Sequence, residues 1–162
     1  MRPDETIKNF RELEFAVFCI ENVAAKLGVD AERVYRAFTE KSDILNGYIV
    51  PEYEVLHTQS KEYIVDDLLD VMKKREVEIY SPDSAFQSAQ PSDKKANPIL
   101  LQMKYSRVIA CFAKEQGLSL DAALDFFYHS KVYPLIWDGV SDMHCMSDAY
   151  LADELKQEYN ER

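Results

Sequence analysis

Residues that interrupt helices are scarce in this chain. Four glycines and six prolines among 162 residues are too few turn formers for an all-β sandwich or barrel, where turn signals recur about every 8–12 residues. The three cysteines, Cys19, Cys111 and Cys145, form no C-x-x-C pair, and such an odd, scattered set excludes a disulfide scaffold and suits reduced thiols in the cytoplasm. No apolar run approaches the ~20 residues of a membrane span. The opening MRPDETIKNF carries acidic residues where a signal peptide needs an apolar core. A cytoplasmic protein without a membrane segment is therefore expected. Positive charge is also short: 19 Lys and Arg stand against 29 Asp and Glu, for a formal charge of −10. The shortage runs through both halves, with 11 basic and 17 acidic residues over 1–80 and 8 and 12 over 81–162. A surface of that sign repels phosphate, which argues against nucleic acid and anionic lipid and favours a basic protein partner. Solubility alone is the plainer use of the same charge.

What is present is helical periodicity and a core to bury, since 47% of the residues are hydrophobic and 12% aromatic. Phe10, Leu13, Val17, Ile20, Ala24 and Leu27 recur at spacings of three and four, one face of a helix that Gly28 ends. Phe15, Phe18 and Cys19 widen the stripe, so this helix is expected to be covered on more than one side. Asp30 is the expected cap of a second helix, with Val29 and Val34 as a hydrophobic staple; it fades near Ser42 or Asp43, before a turn at Asn46-Gly47. Pro51 opens a short helix through Tyr53, Val55 and Leu56. Ser60 caps a fourth, with Tyr63, Ile64, Leu68, Val71 and Met72 inward and Glu62, Asp66, Asp67 and Asp70 toward water. From Ser81 to Lys95 the composition turns to Ser, Pro, Gln, Asp and Lys, as in a linker. Asn97-Pro98 then opens a helix with Leu101, Tyr105, Val108, Ile109 and Phe112 inward.

The second half echoes the first. LHTQSKEYIVDDL, from Leu56 to Leu68, returns as MHCMSDAYLADEL, from Met143 to Leu155. His57 aligns with His144, Ser60 with Ser147, Tyr63 with Tyr150 and Asp66 with Asp153. An earlier block matches too: Gly28 with Gly117, Val29 with Leu118, Asp30 with Ser119 and Phe38 with Phe127. Two ordered blocks with matching caps predict a duplication. The expected fold is all-α, with two related small helical modules packed together: residues 1–80, a linker over 81–97, and residues 98–162, with Val132–Val140 as a variable connector.

The pattern L-H-T-x-x-x-x-Y-I, here Leu56, His57, Thr58, Tyr63 and Ile64, with Asp66 and Asp67 following, resembles a small bacterial helical family catalogued only as a domain of unknown function. NPILLQMKY (97–105), LDFFYHS (124–130) and SDMHCMSDAYLADEL (141–155) resemble another branch of it, so the chain looks like two tandem copies. The resemblance implies a partner or antitoxin-like role beside small ADP-ribosyltransferase-like proteins. It supplies no catalytic residue.

Seven residues are candidates for binding: His57, Tyr63, Asp66, Asp67, His144, Tyr150 and Asp153. His57 and His144 each precede a capping serine by three residues, where an imidazole commonly bonds a backbone group and is buried at a helix junction. Tyr63 and Tyr150 are expected in helix seams with their hydroxyls near the surface. Asp66, Asp67 and Asp70 read either as a solvated helix face or as a docking strip for basic side chains. No catalytic residue, metal ligand or cofactor is expected. His144-Cys145 lacks the further ligands zinc needs, and no Walker loop, dinucleotide fingerprint, H-E-x-x-H or G-x-S-x-G appears. A helix-turn-helix over Leu27–Ile44 has the wrong sign, because Glu32, Glu40 and Asp43 offset Arg33, Arg36 and Lys41. The expected function is protein interaction with a basic partner, with self-association open. The rival is a small hydrolase or transferase using the His/Ser/Tyr cluster.

Overall fold

A computed structural model describes residues 7–77, 98–133, 136 and 147–161, with side chains from Gln102 in the second stretch. The expected linker at 81–97, most of the Val132–Val140 connector, His144, Cys145 and the side chain of Leu101 lie outside the described residues. All regular structure among the described residues is helical. Contacts gather into two compact units, Phe15–Gln90, and Met1–Glu14 with Pro91–Arg162.

Helix α1 spans Phe10–Leu27. Asn9 starts it by accepting the Glu12 amide on Oδ1 at 2.9 Å, while the Glu12 carboxylate reaches back to the Lys8 amide at 2.8 Å. Leu13, Val17, Ile20 and Ala24 are buried as the spacing predicts, and Phe15, Ala16, Cys19 and Val23 are buried beside them. Two faces of this helix are thus covered. Gly28 ends it at φ 70°, which lets the Val29 amide bond the Ala24 carbonyl at 3.1 Å, a stop that a side chain at Gly28 would strain.

Helix α2, Ala31–Thr39, begins after Asp30, whose side chain makes no capping bond. The buried Val29 and Val34 supply the staple instead,. The helix stops three residues sooner than its pattern suggests. Ser42 Oγ donates to the Ala37 carbonyl at 2.7 Å, and the Lys41 amide to that of Arg36 at 3.2 Å, so local polar bonds replace the helical ladder,.

Asn46-Gly47 is not a reversing turn. It lies inside a π-helical turn, Leu45–Ile49, closed by the Val50 amide on the Leu45 carbonyl at 3.1 Å. A Cβ at position 47 would meet the end of the exposed Asp43 side chain, which would have to turn aside. The wider turn keeps Ile44, Leu45, Ile49 and Val50 buried together, and that burial outweighs the turn signal. Pro51 precedes the short helix α3, Tyr53–Leu56, without entering it. Helix α4, Lys61–Lys74, follows Ser60 and buries Ile64, Val65, Leu68 and Met72.

In the other unit, α5 runs Pro98–Gln116 and buries Tyr105, Val108, Ile109 and Phe112. It packs on α6, Leu120–His129, and more extensively on α7, Asp148–Asn160. Gly117, at φ 67°, repeats the stop of α1, with the Leu118 amide on the Ala113 carbonyl at 2.9 Å. Tyr105, Phe127, Tyr128 and Tyr133 form the aromatic core, with ring centroids 5.1–5.4 Å apart. The start of the chain belongs to this unit: Ile7 is buried, and its amide donates to Asp121 Oδ1 at 2.9 Å.

Candidate functional site

Four of the seven candidate residues lie together in chain order where α3 gives way to α4. His57 closes α3, and its Nδ1 lies 2.7 Å from the Tyr53 carbonyl. A carbonyl only accepts, so Nδ1 carries the proton and, in the neutral ring, Nε2 is the acceptor. The imidazole stacks on the Tyr53 ring at 4.4 Å and 9°, and Phe15 meets that tyrosine edge-on at 5.5 Å. The expected backbone bond is present, but the expected burial is not: His57 is exposed. One face of the ring is covered by Tyr53, and α3 is a single turn too short to enclose the other.

Ser60 then caps α4, its Oγ accepting the Tyr63 amide at 3.1 Å. Tyr63 was expected inward and is instead 52% exposed. The cap fixes the rotation of the helix so that Ile64 and Leu68 face the core, which turns the first-turn tyrosine outward. Asp66, one turn on, is exposed and has no ion-pair partner among the described residues. Asp70 is held by Lys74 at 3.0 Å.

Asp67 is half-buried and accepts a hydrogen bond from the Tyr48 hydroxyl in the π-helical turn. The Tyr48 hydroxyl is pushed far above the ordinary tyrosine range, first by burial, then by its bond to Asp67, then by the charges of Asp67, Glu52 and Tyr63. Tyr48 therefore stays protonated and donates, which makes Asp67 a structural tie between the π-helical turn and α4. Sequence reasoning missed Tyr48. The signal was a polar-tipped aromatic set between the apolar pairs Ile44-Leu45 and Ile49-Val50.

The second half repeats the first-turn arrangement. Ser147 Oγ accepts the Tyr150 amide at 3.1 Å, and Tyr150 is 44% exposed rather than set in a seam, for the same reason as Tyr63. Leu151, Ala152 and Leu155 are buried, and the exposed Asp153 accepts from Gln157 Nε2 at 2.8 Å. Asp148 adds a feature without counterpart in α4, accepting from Arg107 Nε at 2.7 Å and Lys104 Nζ at 3.3 Å. Burial pushes its carboxyl up, but the bonds from Arg107 and Lys104 outweigh that and hold it below the usual carboxylate range.

Among the described residues, no group of three or more His, Cys, Asp or Glu side chains is placed to hold a metal ion, and no helix is long and apolar enough to cross a membrane. Residues 14–75 match the model of a family described as a protein of unknown function (DUF3791). That span contains Leu56–Asp67, on which the resemblance in sequence was drawn, and supports a family of unknown function for this part of the chain. No curated protein and no solved structure matches the chain.

Proposed function

We propose that the protein is a non-catalytic interaction module of the cytoplasm. In this reading its two halves, residues 1–80 and 98–162, are related copies, each offering an acidic helix face to a basic protein partner. One observation carries it: within the family-matched segment, α4 presents an exposed Tyr63 and an exposed Asp66 without a pairing cation among the described residues. An acidic face raises the encounter rate of a basic partner and sets its register. Two such faces on one chain add an effective-concentration gain over either alone. The ADP-ribosyltransferase-like protein implied by the sequence resemblance is the first partner to test.

The hydrolase or transferase reading is disfavoured by where the hydrogen bonds go. A catalytic imidazole turns Nδ1 to a carboxylate and Nε2 to the nucleophile; here Nδ1 is committed to the Tyr53 carbonyl and Ser60 Oγ to the Tyr63 amide. Copurification from the native host, followed by binding kinetics with the partner so found, tests the proposal. Association is expected to slow with salt and in Asp66→Lys and Asp153→Lys, both surface changes. Rates indifferent to salt and to both reversals would place the interface elsewhere.

A further inference from the structure

Charge alone does not account for the tyrosines. A single exposed aromatic needs no explanation. Here one occurs twice, at the same third residue after a capping serine, with its amide held at 3.1 Å in both cases. Each is followed at i+3 and i+4 by acidic residues, Asp66 and Asp67 after Tyr63, Asp153 and Glu154 after Tyr150. Residues so spaced share one helix face. The adjacent Ile64 and Leu68, and Leu151 and Leu155, are buried, so the cap and the apolar spine together hold the two rings, Asp66 and Asp153 outward, while Asp67 and Glu154 are half-buried.

We infer that these two faces are receptors for arginine side chains, with Tyr63 and Tyr150 as stacking surfaces and the carboxylates one turn on as hydrogen-bond acceptors. This rests on the docking reading above and names the residue type that the partner brings. A guanidinium is planar and can lie on a phenol ring while donating two N–H groups to a carboxylate, whereas an ammonium satisfies the charge without the stacking geometry. Asp66 is available because it is exposed and in no ion pair among the described residues, and Asp67 leaves one oxygen beyond that taken by Tyr48. The local field has the right sign, since the carboxylates acting on the Tyr48 hydroxyl, Asp67 and Glu52, are both negative. The second face is the weaker, because Gln157 already donates to Asp153.

The test uses the full chain and two fluorescent peptides of equal length and charge, one arginine-rich and one with every arginine replaced by lysine, titrated by anisotropy at low salt. The arginine peptide should bind about two- to fivefold more tightly, the range of an exposed cation–π contact. Tyr63→Leu should remove most of that preference, Tyr150→Leu the remainder, and Tyr63→Phe, which keeps the ring, should retain it; circular dichroism checks that each variant keeps the parental helix content. Equal binding of the two peptides overturns the arginine receptor while leaving the acidic docking face standing. A preference that survives the loss of both tyrosine rings also overturns it. Failure of both peptides to bind at low salt overturns the docking reading together with the inference.

Discussion

Helices α4 and α7 share a first turn and are fastened in different ways. Both begin with a serine that accepts a tyrosine amide at 3.1 Å, and both turn that tyrosine outward. In α7 the residue after the cap, Asp148, is clamped by Lys104 and Arg107 of α5, and Glu158 further along accepts the Lys131 amide at 3.0 and 3.1 Å. In α4 the residue after the cap is an exposed lysine, Lys61, and the tie comes further along the helix, where Asp67 meets Tyr48. The start of a helix is a local matter of one hydroxyl and one amide. What holds the helix to its neighbours is chosen separately, and here one helix uses an ion cluster and the other a neutral donor on a carboxylate. Acid should therefore act on the two differently.

The strongest check on the likeness of the halves is in their cores. Phe38 and Phe127 are both fully buried, so Phe38→Ala and Phe127→Ala should each destabilise by about 3–5 kcal/mol, read from urea denaturation. If one is nearly silent, the two positions are not equivalent. Next comes the clamp that only α7 has. Asp148→Asn should cost about 1–2 kcal/mol, discounted because Arg107 is half exposed and screened, while Lys61→Ala should change little. The sign with pH follows from the depressed carboxyl of Asp148. Its contribution is complete above the unfolded aspartate range, near pH 4, and is lost as pH falls through the lower folded value. Thermal midpoints of the parent and Asp148→Asn should thus differ at neutral pH and converge in strong acid. A gap that persists unchanged in acid would mean that Asp148 acts by shape and not by charge.

The helices themselves were legible because their signals are local. Leu13, Val17 and Ile20, the glycine stops and the serine caps each depend on residues within one or two turns. Errors arose where long-range packing competed with a local signal. Asn46-Gly47 spells a turn, but burial of Ile44, Leu45, Ile49 and Val50 kept the chain helical and widened it into a π-helical turn. Tyr63 reads as core by hydrophobicity, yet at the third residue of a capped helix its direction is set by where Ile64 and Leu68 must go. Of the candidate site, Asp66 appeared as expected on the exposed face; the roles of Asp67 and Tyr48 depend on a contact across 19 residues, which no periodicity encodes. The docking of Ile7 on Asp121, 114 residues away, was equally out of reach.

Two smaller effects sharpen the comparison at the helix ends. Ser60→Ala and Ser147→Ala each remove the same bond, and each should cost about 1 kcal/mol; markedly unequal losses would show that tertiary anchoring, stronger in α7, masks the cap. The opposite end of α4 offers the smallest change and the only gain. Three helices stop with the same backbone bond, the Val29 amide on Ala24, the Leu118 amide on Ala113, and the Val77 amide on Met72 at 2.8 Å. The first two use glycine in the left-handed conformation, but the third places Glu76 there, at φ 57°. A Cβ in that conformation is crowded against the carbonyl and costs about 1–2 kcal/mol, part of which glycine returns to the unfolded chain as entropy. Glu76→Gly should therefore stabilise by about 0.5–1 kcal/mol, seen as a higher urea midpoint at unchanged slope, whereas Glu76→Ala keeps the strained Cβ and should gain nothing. If Glu76→Gly destabilises instead, the glutamate side chain holds this helix end by a contact worth more than the strain.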